Sequence, residues 1–151
     1  MAENKTGAAN AAAPEKKIDR ETAEKEFVNY CESNRIEHDE TAMNDEEKEP
    51  FKDIKKRFIE NCMEGRVEVD GTSLKYTISD FSTDVKGKTV TIKRPSGNAF
   101  TAMDGWREKE SVHKLLGFMS AMTGEEVKFF SKLDIVDWKF FNSIASLFLS
   151  L

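Results

Sequence analysis

Cysteine and histidine are nearly absent from this chain, with two of each among 151 residues. Cys31 and Cys62 lie 31 positions apart and the histidines are scattered, so neither C-x-x-C nor H-x-x-x-H spacing exists to hold zinc. With no apolar leader before the cysteines a reducing cytoplasm is the expected compartment, and free thiols are expected ahead of a disulfide joining the two helices. His38 sits in an acidic run and His113 at a helix start, neither beside a Ser or Cys in a nucleophile motif, so no catalytic residue is assigned. Glycine is sparse too. The turn "RPSGNAF" contains one glycine and no Gly-Lys-Ser/Thr ending, which rules out a phosphate-cradling loop. "HDETAMNDEE" lacks the glycine and the alternating oxygen ligands of a calcium loop. No cofactor and no metal are expected.

Two further absences concern partners. Basic residues do not exceed acidic ones, and a net charge of -5 repels phosphate backbones, so nucleic acid is not expected as a partner. No uninterrupted apolar run reaches the ~20 residues that cross a bilayer, because Asp134, Asp137, Lys139 and Asn142 break the most apolar segment. No membrane is expected.

What the chain does have is unevenly placed charge and changing periodicity. Residues 1–66 hold 12 Lys/Arg and 17 Asp/Glu, whereas residues 67–151 hold 11 of each. All net negative charge therefore lies in the first part. Residues 1–19, polar and rich in alanine, lack apolar periodicity and read as a disordered tail. From Arg20 to about Ile36, Ala23, Phe27, Tyr30 and Cys31 recur at helical spacing. Residues 37–49 read as a solvated acidic loop, with Pro50 suited to the first turn of a second helix. Phe51, Ile54, Phe58, Ile59 and Cys62 form one face of that helix, and Gly65 stops it. Residues 20–66 thus make an acidic helical region.

Alternation replaces helical spacing at Val67, Val69, Leu74, Tyr76 and Ile78, around a turn at Asp70 and Gly71. Val90 and Ile92 in "KTVTIKR" add a third strand, closed by the turn at residues 94–97. Helix returns with Val112, Leu115, Leu116, Met119 and Met122. "TGEE" has the form of a capping box, pairing Thr123 with Glu126 ahead of a short helix carrying Val127, Phe129 and Phe130. Asp134 suits the cap of a final helix. The expected fold is α+β and mainly helical, with a small antiparallel three-stranded sheet between two N-terminal helices and a C-terminal helical subdomain.

That final helix sets the problem of the sequence. Val136, Phe140, Ile144, Leu147, Phe148 and Leu151 fall on one face, and Trp138, Phe141, Ala145 and Leu149 on the next. Only Lys139, Asn142, Ser143, Ser146 and Ser150 leave a polar stripe. Hiding a large apolar side chain is worth about 1.5–3 kcal/mol, so something must cover both faces. One face docks on the chain's own domain; the other serves a second polypeptide or is sandwiched in the core as well, two readings that periodicity alone weighs equally, and the first is the expectation here. Six of the eleven phenylalanines lie between Phe118 and Phe148, with Met103, Met119 and Met122 as adaptable neighbours. The expected partner-binding residues are Leu115, Met119, Met122, Phe130, Trp138, Phe141, Ala145, Phe148 and Leu149.

The run "VTIKRPSGNAFTAMDG" followed by "SVHKLLGFMSAMTGEEVKFFSKLDIVDWKFFNSIASLFL" resembles the tail assembly chaperones of long-tailed bacteriophages, especially the short proteins of Mu-like and P2-like phages. Val90, Ile92, Arg94, Pro95 and Ser96 match that family's strand and turn. Leu115, Leu116, Thr123 and Gly124 match its helix and junction, and Leu133, Asp134, Asp137, Phe141 and Phe148 its ending. The match covers residues 88–151. It implies a non-enzymatic chaperone in the cytoplasm of the bacterial host that keeps the tape measure protein soluble, promotes tail tube assembly and is missing from the mature virion. Tail tube protein and a second copy of the chain are further implied partners. The alternatives are a structural subunit of a tail or injection-like particle, or a small acidic adaptor between proteins.

Overall fold

The computed structural model describes residues 17–103 and 111–149. Most of the expected tail and the last two positions, Ser150 and Leu151, lie outside the described residues. The architecture is α+β and mainly helical: six α-helices and a three-stranded antiparallel sheet among the described residues.

Helix α1 (Arg20–Asn34) begins where Asp19 accepts a hydrogen bond from the Thr22 N–H at 2.8 Å. It ends on Arg35, which takes the left-handed conformation at φ 58°. Ala23, Phe27, Tyr30 and Cys31 form its buried face. A short 3₁₀ turn (Glu40–Ala42) follows, capped by Asp39.

Helix α2 (Asp45–Met63) starts five residues before Pro50, inside the stretch expected to be loop. The reason is a capping box the acidic composition disguises. Asn44 Oδ1 accepts from the Glu47 N–H at 2.9 Å, and Glu47 Oε1 accepts from the Asn44 N–H at 3.0 Å. Asp45, Glu46 and Glu47 then sit at the positive end of the helix dipole. Gly65, at φ 79°, turns the chain into the sheet.

Strands β1 (Val67–Asp70), β2 (Ser73–Thr77) and β3 (Thr89–Ile92) pair in chain order. Asp70 faces Ser73, so the hairpin loop is Gly71–Thr72, one position later than expected. Gly71 at φ 63° supplies the first central residue of such a tight turn. Val67, Leu74, Tyr76, Val90 and Ile92 are buried.

Helices α3 (Gly97–Thr101), α4 (Ser111–Thr123), α5 (Val127–Phe130) and α6 (Ile135–Leu149) complete the chain. The expected box between Thr123 and Glu126 does not form. Thr123 is the last residue of α4 and its hydroxyl donates back to the Met119 carbonyl at 2.9 Å, while Glu126 precedes α5 without a side-chain cap. Asp134 does cap α6, accepting from the Val136 N–H at 2.9 Å.

One core joins both halves. Phe27 meets Phe58 edge-on at 5.1 Å, Phe58 meets Phe140 at 6.4 Å, and Phe140 stacks on Tyr76 at 4.1 Å with the rings 9° from parallel. Tyr30 touches Phe148 at 6.3 Å. These contacts run from α1 through α2 and the sheet to α6, so the acidic helices pack directly on the final helix.

Candidate partner-binding surface

The final helix is interior. Phe140, Phe141, Ile144, Ala145, Leu147 and Phe148 are at most 3% exposed, so between residues 140 and 148 both apolar faces are covered by the chain itself, while Val136 and Leu149 at the two ends are exposed. Of the nine residues expected to meet a partner, Met119, Met122, Phe130, Phe141, Ala145 and Phe148 are core in this fold. Leu115 and Trp138 are half-buried against that core, and only Leu149 is exposed. The physical reason is that α1, α2, the sheet and α4 supply enough apolar surface between them to enclose a helix from two sides.

Asp137 fixes the first turn of α6 from within. Fully buried, it takes the Tyr76 hydroxyl at 2.6 Å and the Ser79 N–H at 3.0 Å on one oxygen. The hydroxyls of Ser79 and Ser82 donate to the other at 2.7 and 2.5 Å. Four donors and the helix N-terminus compensate a carboxylate taken out of water. Ser82 also accepts from the Asp134 N–H at 2.8 Å, stapling the loop after β2 to α6. Phe81, beside that staple, is 70% exposed, and Ile135 and Val136 are exposed as well.

α6 exposes Ile135, Val136, Lys139 and Leu149, and its part-buried polar residues Asn142 and Ser146 open onto a groove. About 700 Å³ of space lies between the 3₁₀ segment, the first half of α2 and residues 142–147 of α6. Met43, Phe51, Ile54 and Leu147 make its floor. Asn142, Ser143 and Ser146 line the far wall, where Arg57 donates to the Ser143 hydroxyl at 2.7 Å. Glu37, Glu46, Glu47 and Asp53 stand around it against a single guanidinium. None of these was expected to bind anything. Their signal was legible only as polar residues recurring on one side of an otherwise apolar helix.

The buried thiols and phenols keep their protons. Burial pushes the Cys31 and Cys62 thiols up to about 12, so neither supplies a thiolate nucleophile near neutral pH. Burial, followed by the bond to Asp137, raises Tyr76 well above its ordinary value, and burial raises Tyr30 likewise. Among the described residues, no group of three metal-ligating side chains comes together, and no helix is long and apolar enough to cross a membrane. Comparison with protein-family models, with curated proteins and with solved structures finds no match to this chain.

Proposed function

We propose that this protein is a non-catalytic assembly chaperone that binds a helical client, the tape measure protein of a long-tailed phage, in the cytoplasm of the bacterial host. The observation carrying the reading is where the polar and glycine residues of the resemblance fall: several of them are joints of the fold, while its apolar residues pack in or against the core. Arg94 reaches back to the carbonyl and side chain of Asn34 at the end of α1. Ser96 caps α3, accepting from the Asn98 N–H at 3.2 Å. Gly124, at φ 76°, turns the chain out of α4, Asp134 caps α6, and Asp137 collects four hydrogen bonds. Such joints concern architecture, and the function proposed is that of the family the sequence resembles.

The client surface in this reading is no longer the final helix, whose apolar faces are occupied. Chaperoning without nucleotide or covalent chemistry needs only a surface that binds the unassembled client and releases it when tube subunits compete. Tail tube subunits, through that competition, are the second proposed partner.

Co-expression tests it. Tape measure protein from the same genome should move from the pellet to the soluble fraction when this chain is present, and mass spectrometry of finished particles should find the chain missing. Persistence in the particle favours the structural-subunit reading, for which the exposed Phe81, Ile135 and Val136 offer an oligomer contact. A tape measure protein that stays insoluble counts against the chaperone.

A further inference from the structure

We infer that the groove between α2 and α6 is a docking site for a cationic amphipathic helix. The inference rests on the binding-protein reading above for its biological occasion, but its observations are separate: a groove's shape, its floor and its charge.

Shape comes first. The wall from α6 consists of short side chains, Ser143, Ser146 and Asn142, over which a third helix could approach closely. The volume, about 700 Å³, falls within the range of ordinary ligand sites and suits one apolar stripe of a helix rather than a flat protein face. Met43 and Ile54, both part-exposed, are the floor residues still in contact with water and available to such a stripe.

Charge selects the occupant. Glu46 and Asp53 are exposed and lie two turns apart on α2, so they run along the groove rather than clustering at one end. Glu37 and Glu47 add two more carboxylates. Arg57, the cation among the lining residues, reaches across to the Ser143 hydroxyl, and Lys55 pairs with Glu40 at 3.7 Å. An incoming helix with Lys or Arg flanking its apolar stripe meets this rim favourably, and an acidic helix is repelled.

Pro50 adds a polar feature. Lacking an N–H, it leaves the Glu46 carbonyl without its usual helical donor, and both residues line the groove. A Lys, Ser or Asn on the occupant could donate there.

The probe is a synthetic amphipathic peptide of about 18 residues, long enough to hold a helix, with Leu at i, i+3, i+4 and i+7 and Lys on the flanks. Its control carries Glu in place of Lys. Titration into the full-length protein, followed by NMR and calorimetry, should give one-to-one binding of the Lys peptide, with shifts confined to residues 36–57 and 142–147. The double variant Glu46→Gln/Asp53→Asn, altered only at exposed positions, should weaken it about tenfold and flatten its salt dependence. Ile54→Arg should abolish it while circular dichroism stays native.

No binding of the Lys peptide, equal binding of the Glu peptide, or indifference to the double variant would overturn the inference. So would a dimer of the free protein that Ile54→Arg dissolves, since the groove would then belong to a second copy. Failure here with tape measure protein still solubilised leaves the chaperone reading standing and moves its surface elsewhere.

Discussion

Asp137 is the residue whose loss the fold should feel most. Replacing it with Ala leaves the Tyr76, Ser79 and Ser82 hydroxyls and the Ser79 N–H without their acceptor inside the core. We expect a loss of about 3–5 kcal/mol in urea denaturation, and only about 1–2 kcal/mol for Asp137→Asn, which keeps one acceptor and the shape. Tyr30 is the opposite case. Its buried hydroxyl has no hydrogen-bond partner, so Tyr30→Phe should be neutral or stabilise by about 1 kcal/mol in the same assay.

The buried thiols set a pH limit. In the folded chain Cys31 and Cys62 keep their protons to about 12, against an ordinary value of 9.0. The folded state therefore binds more protons than the unfolded one across that window. Stability should be unaffected by these groups below 9 and fall as pH rises beyond it. Urea midpoints at about pH 8 and about pH 10.5 should show the drop, and Cys31→Ala/Cys62→Ala should reduce it.

At the scale of elements, α2 shows how function and stability pull apart. Pro50 sits in its sixth position, where it withholds one helical hydrogen bond. Pro50→Ala should raise the thermal midpoint, by about 1 kcal/mol or more of added stability, and weaken binding of a cationic helix if the freed Glu46 carbonyl serves the occupant. Calorimetry reads both. The same proline misleads a reader of the sequence, because it marks a helix start so often that Asn44 and Glu47 go unnoticed in a run of acids. Strands were easier to read: alternation at Val67–Val69 and Leu74–Tyr76 survives because one face of a small sheet must be buried. Thr123 was misread because a hydroxyl can serve the helix it ends as readily as one that follows.

For the molecule as a whole, the decisive feature was not visible in the sequence at all. Periodicity shows that α6 is apolar on two faces, but periodicity is silent about what covers them. Covering depends on α1 and α2, more than 70 residues earlier, whose Tyr30 and Phe58 meet Phe148 and Phe140. Once the middle of those faces is covered, the place for a partner moves from the oily residues of α6 to an acid-rimmed groove beside Asn142 and Ser146. The expected site did not anticipate this because all nine of its members were chosen for hydrophobicity, which is also what drives a side chain into the core, where six of them lie.

Hydrogen exchange of the free protein and of its complex with the cationic helix tests this account most directly. The account predicts that amides of residues 140–148 are among the slowest to exchange in the free protein, and that binding adds protection only in residues 36–57 and 142–147. Fast exchange throughout 140–148 in the free protein, with protection of Phe141, Ala145 and Phe148 appearing only on binding, would contradict it.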